Sequence, residues 1–92
     1  MNEERAVLAR VEIYTKTFCG YCVRAMHLLD SKGIEYKEHL VFYGGPERQE
    51  MIERSGGRTT VPQIFIDGRH IGDCSELLEL ESRGKLDELL AA

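Results

Sequence analysis

Cys19 and Cys22 stand two residues apart, separated by Gly20 and Tyr21, where an extended apolar segment gives way to a helical pattern. A C-x-x-C at a strand-to-helix junction suits thiol–disulfide exchange. The first sulfur of such a pair is exposed at the helix N-terminus, where unpaired backbone N–H groups and the positive dipole end favour the thiolate, the reacting form. The second sulfur, one turn on, can resolve a mixed disulfide formed by the first. Lys16, just upstream, adds positive charge near Cys19. Cys19 is therefore the candidate nucleophile, and Cys22 the weaker thiol until Cys19 is tied up.

A structural zinc site is the sharpest rival use of the pair. Zinc normally takes four nitrogen or sulfur ligands. Beyond the pair the chain offers only Cys74 and the scattered His27, His39 and His70, so no resident metal is expected. The three histidines read as surface or strand residues, with His27 on the helix face away from Met26 and Leu29.

The elements that must position these thiols follow from hydrophobic spacing. Val11 to Tyr14 alternates polar and β-favouring residues and reads as the first strand. Cys22, Ala25, Met26 and Leu29 fall on one helix face, and Gly33 follows as its stop. Ile34 to Val41 reads as a second strand. Gly44-Gly45-Pro46-Glu47 looks like a turn into a helix running from Pro46 to Arg54, ended by Gly56-Gly57. Gln63 to Ile66 is a third strand, joined through Asp67-Gly68, a strong hairpin turn, to Arg69-His70-Ile71. Leucines 77, 78, 80, 86, 89 and 90 give one or two closing helices interrupted near Gly84. The order βαβαββα predicts an α/β fold: a four-stranded mixed sheet with helices on both faces, its first two strands parallel and its last two antiparallel.

With 92 residues, one domain spanning residues 1–92 is expected. An apolar share of 42% and only two prolines argue against disorder and collagen-like repeats. The net charge of −4 comes without a Lys/Arg cluster, so neither nucleic acid nor an anionic membrane is an expected partner. Met1 to Arg5 is charged, and no stretch is apolar for long enough to be a signal core or a membrane span; a cytoplasmic protein is expected. There, three cysteines are not a structural disulfide framework.

Three motifs then come into view together. Tyr14-Thr15-Lys16 precedes Cys19-Gly20-Tyr21-Cys22; Thr60-Val61-Pro62-Gln63 follows, and then Ile71-Gly72-Asp73-Cys74-Ser75-Glu76-Leu77. In this order and separation they resemble the dithiol glutaredoxins, most closely the small bacterial ones. The resemblance implies a thioredoxin-like fold and a glutathione-dependent oxidoreductase that reduces glutathione mixed disulfides, with protein disulfides as a further substrate class. Glutathione is then the cosubstrate, the partners are glutathionylated or disulfide-containing proteins, and the protein acts as a monomer. For deglutathionylation the monothiol route is favoured, in which glutathione rather than Cys22 resolves the adduct on Cys19.

The resemblance also assigns a binding groove. Thr60, Val61 and Pro62 match the loop in which the family places a cis-proline, turning Val61 to offer its N–H and C=O to the cysteinyl part of glutathione; the alternative is a trans proline opening a strand. Lys16 and Arg48 are the candidates for the glycine carboxylate, although Arg48 also reads as a helix-surface arginine paired with glutamate. Cys74 and Ser75 start the closing helix, where free N–H groups and the serine hydroxyl would meet the γ-glutamyl end, or where Ser75 simply caps the helix. Cys74 reads as a small semi-buried residue rather than a third redox centre. Tyr21 would lie along the groove or pack on the surface, whereas Phe18, Phe65, Ile13 and Ile64 read as core or cleft lining. Arg58 has no place that its neighbours define.

Two residues depart from the family pattern. Gly20 stands where many dithiol members have proline, and some members without that proline hold a [2Fe-2S] cluster between two protomers through the first active-site cysteine and two glutathiones. This makes a cluster-bridged dimer through Cys19 the alternative function. Asp73 stands where relatives repeat glycine; aspartate tolerates left-handed backbone, and its carboxylate is expected to weaken glutathione binding. A thioredoxin served by its own reductase is disfavoured, since that active site is flanked by tryptophan and this chain has none.

Overall fold

The computed structural model describes residues 9–41 and 45–91. Its elements are β1 (Val11–Thr15), α1 (Gly20–Ser31), β2 (Tyr36–Leu40), α2 (Pro46–Arg54), β3 (Gln63–Ile66), β4 (Arg69–Gly72), α3 (Cys74–Ser82) and α4 (Leu86–Leu90). They build one four-stranded sheet in the order β2-β1-β3-β4. The β1–β2 pair is parallel, with Val11 opposite Tyr36, as a helical crossover requires. The β1–β3 pair is antiparallel, with Ile13 opposite Ile64. β4 returns antiparallel to β3 through Asp67 and Gly68, whose φ angles of 52° and 80° are the double left-handed geometry that an Asp-Gly hairpin turn demands.

Strand alternation sends side chains to two cores. Val11, Ile13, Ile64 and Ile66 point to the face covered by Ala25 and Leu29 of α1, Leu77 of α3, and Leu86 and Leu90 of α4. Tyr14 and Phe65 point to the opposite face, where Met51 of α2 packs against them with Val61 at the edge. Because β1 and β3 are the inner strands, nearly all their residues are buried. Helices therefore cover both faces, and the thioredoxin-like α/β reading of the sequence holds.

The bounds differ from expectation in a few places. The second strand is shorter than Ile34 to Val41, because the Ile34 N–H is spent closing α1 on the Leu29 carbonyl at 3.1 Å. Gly33, at φ 68°, makes that closing turn. Gly44 of the predicted turn lies outside the described residues, whereas Gly45 caps α2 and Pro46 opens it. Gly84 (φ 70°) splits the closing helix in two. Phe18 is not core: it is fully exposed, with a φ of 55°.

A charged cluster fastens α2 to the sheet. Arg54 donates to both Glu12 carboxylate oxygens at 2.9 and 3.1 Å and to the Tyr14 hydroxyl at 2.8 Å. Its guanidinium also lies 4.2 Å from the Phe65 ring centroid, and His39 Nε2 is 3.0 Å from Glu12. Arg54's hydrogen bonds, joined by those of His39, overcome the opposing push of burial and hold the Glu12 carboxyl down from 4.5 to about 2. A carboxyl depressed in the folded state stabilises the fold fully above its unfolded pKa, and that stability is lost as pH falls from about 5 to about 2. The shift corresponds to about 3 kcal/mol. Glu12→Gln is expected to lower stability at pH 7 and to flatten the acid limb of a urea-midpoint profile; wild-type and variant curves that stay parallel down to pH 2 would refute the assignment.

Candidate active site

The N-terminus of α1 sets the reacting thiol. Cys19 is the N-cap residue, its backbone extended at φ −115° and ψ 104°, and its Sγ accepts the Cys22 N–H at 3.2 Å. A cap side chain that accepts a helix N–H is better bound as an anion, so the same geometry favours the thiolate once the pair is reduced. The two sulfurs are joined here as a disulfide, with Cα atoms 5.2 Å apart. Cys19 is partly exposed, whereas Cys22 is 1% exposed. This asymmetry makes Cys19 the accessible sulfur of the pair and leaves Cys22 beneath it.

Two clefts flank this helix end and share Thr60 and Val61. One, of about 740 Å³, is lined by Lys16, Phe18, Arg48, Thr59, Thr60 and Val61 among others. The second, of about 450 Å³, runs past Tyr21 and Pro62 to Asp73, Cys74 and Ser75. Phe18 and Tyr21, which bracket Cys19 in sequence, each wall one cleft. Lys16 and Arg48 supply positive charge to the first, and neither forms an ion pair among the described residues. The Val61–Pro62 peptide bond is cis. Val61 lines both clefts, and neither its N–H nor its C=O has a hydrogen-bond partner among the described residues. The predicted binding residues thus come together, although Arg48 and Ser75 belong to opposite ends.

The far end differs from expectation. Asp73 is not in the left-handed region: its φ is −93°, and it is Gly72 that takes φ 127°, at a point where a Cβ would collide with the Glu76 side chain. Asp73 instead caps α3. Its Oδ1 accepts the Glu76 N–H at 3.0 Å while Glu76 Oε1 accepts the Asp73 N–H at 2.8 Å, a reciprocal capping box. Ser75 therefore does not cap the helix, and its hydroxyl is not free for a ligand, because it donates to Asp73 Oδ1 at 2.9 Å. What remains for an anion are the Cys74 and Ser75 N–H groups, which have no partner among the described residues.

Arg58 is the residue that sequence reasoning missed. Its guanidinium donates to Glu76 at 2.7 Å and lies 3.4 Å from Asp73 Oδ2, putting a cation beside the cap. Burial pushes the Asp73 carboxyl up, but the Glu76 N–H, the Ser75 hydroxyl and Arg58 outweigh it and leave the carboxyl below its usual value. Arg58's hydrogen bonds likewise lower Glu76. The only early signal for Arg58 was its place two residues before Thr60. Cys74 is a buried free thiol, and burial pushes its pKa up; it stays protonated, as the reading of a small packed residue requires.

Comparison with known proteins agrees with this geometry. The glutaredoxin family profile matches residues 11–71. Glutaredoxin 3 of Escherichia coli is 57% identical over 83 residues, covering 90% of this chain and 99% of its own. Among solved structures, a glutaredoxin from Brucella melitensis is 49% identical with a TM-score of 0.78, covering 91% of this chain and 90% of its own. A buckwheat glutaredoxin–glutathione complex is 31% identical with a TM-score of 0.77, covering 89% and 76%. Thiol chemistry at a helix end, two clefts meeting at a cis-proline loop and these likenesses lead to one conclusion: the chain belongs to the glutaredoxin family and is a glutathione-dependent thiol–disulfide oxidoreductase.

Proposed function

We propose that glutathione lies along the two joined clefts, with its sulfur at Cys19, its glycine carboxylate toward Lys16 and Arg48, and its γ-glutamyl end toward the Cys74 and Ser75 N–H groups. The observation that carries this is the continuity of the clefts through Thr60 and Val61, with the Val61 N–H and C=O unpaired among the described residues and so available for β-type pairing with the cysteinyl unit. A relative solved with glutathione supports the ligand. The Cys19 thiolate attacks the glutathione sulfur of a mixed disulfide and the target protein leaves as thiolate. A second glutathione thiolate then attacks the Cys19 adduct, releasing Cys19 and glutathione disulfide, which NADPH reduces through glutathione reductase. With protein disulfides, Cys22 attacks the Cys19–protein mixed disulfide, so the electron pair comes from the two thiols of the enzyme.

One domain acting as a monomer is sufficient for this chemistry. A cytoplasmic setting fits a buried free Cys74 and a pair that must be re-reduced by the glutathione pool. Among the described residues no helix is long and apolar enough to cross a membrane. The cluster-bridged dimer, in which Cys19 would be the ligand from each chain, is the less favoured reading.

The groove is tested by replacing its two cations. In the NADPH-coupled assay on a glutathionylated peptide, Lys16→Ala/Arg48→Ala is expected to raise KM about tenfold, with kcat within about twofold and a weaker salt dependence. An unchanged KM would place glutathione elsewhere.

A further inference from the structure

Behind the Thr60–Val61–Pro62 loop lies a polar chain that the reaction does not consume. Gln63 is fully buried, yet its side-chain nitrogen donates to the Thr60 carbonyl at 3.0 Å and its oxygen meets His70 Nε2 at 2.6 Å. Gln63 is held by the sheet, opposite Tyr14 of β1. His70 faces Phe65 across the β3–β4 pair and is therefore on the same side of the sheet as Gln63.

The direction of this chain follows from donor and acceptor chemistry alone. A carbonyl only accepts, so the amide nitrogen of Gln63 must face Thr60 and its oxygen must face His70. His70 Nε2 must then carry a proton. Were the proton on Nδ1 instead, the amide would turn over to donate to the ring and would set its oxygen against the Thr60 carbonyl. Burial and the nearby Arg58 push the His70 pKa down, but the imidazolium would also carry a proton on Nε2, so either form keeps the chain in register. Pro62 has no N–H with which to brace the loop from within.

We propose that His70 and Gln63 are positioning residues for substrate: they lock the Thr60 carbonyl and thereby aim the free Val61 N–H and C=O at the groove. Neither touches the reacting sulfurs. The inference rests on the proposed seating of glutathione along Val61, and both are tested on the full chain.

His70→Leu removes the donor, Gln63→Met removes the amide at similar volume, and His70→Gln restores a donor. His70→Leu and Gln63→Met are expected to raise KM for the glutathionylated peptide about five- to tenfold, the worth of roughly one hydrogen bond, with kcat within about twofold. Alkylation of reduced Cys19 by iodoacetamide, which needs no groove, should keep its pH midpoint. His70→Gln should recover most of the KM. A lowered melting temperature with wild-type KM in either folded variant, or a His70→Gln as impaired as His70→Leu, would overturn the proposal. If His70→Leu fails to fold, Gln63→Met and His70→Gln carry the same test. Titration of the wild type with S-methylglutathione, followed at the Val61 amide by NMR, separates the two ideas. No response at Val61 would remove the seating itself, whereas a response with unchanged affinity in the variants would remove only the role of His70 and Gln63.

Discussion

Cys19→Ser is expected to bring reduction of a glutathionylated peptide, coupled to glutathione and NADPH, down to the uncatalysed background, a loss on the order of 10³ or more. The exchange starts with a thiolate, and a serine hydroxyl neither ionises near neutral pH nor forms a disulfide. The substitution leaves the architecture in place. Cys19 is the N-cap of α1 and its side chain accepts the Cys22 N–H, a task that serine performs well. Circular dichroism and a melting temperature unchanged from those of the reduced wild type would therefore accompany the loss, which marks it as chemical. Turnover above a few per cent of wild type would mean that Cys22 or another group starts the reaction.

Cys22→Ser is expected to separate the two activities. Deglutathionylation should stay within about twofold of wild type, because glutathione resolves the adduct from solution. Reduction of protein disulfides should fall to background, because the resolving thiol is gone and a protein-bound Cys19 adduct persists. Burial is what makes this separation clean. At 1% exposure Cys22 meets no outside disulfide, and its one accessible electrophile is the sulfur of Cys19, three residues before it. Rates are measured on a glutathionylated peptide and on a protein carrying an intramolecular disulfide. Equal loss of both would show that Cys22 acts in the first step.

Much of the fold was legible because its signals are local. Pro46 and Glu47 mark the start of α2, Asp67-Gly68 specifies a hairpin with two left-handed residues, and alternation along β1 separates Ile13 from Tyr14 onto opposite faces. The redox pair was legible for the same reason: a thiol, a helix start and a second thiol one turn later lie within a few residues.

The groove's far end was not legible, and Asp73 shows why. Its neighbours suggest a turn residue replacing glycine, yet its role depends on Gly72 taking the left-handed angle and on Glu76 closing the capping box. Arg58 is invisible in sequence because its partners, Asp73 and Glu76, are more than a dozen residues away. Phe18, expected in the core or lining the cleft, sits in a left-handed turn that leaves it exposed on the wall of one cleft rather than in the core. The sequence by itself determined the elements, the parallel and antiparallel pairings of consecutive strands and the redox pair, since backbone propensity, turn chemistry and helix-end electrostatics act between near neighbours. Only the tertiary structure decided which polar groups stay free for a ligand, because a donor or charge is spent or spared by residues that folding brings from elsewhere in the chain.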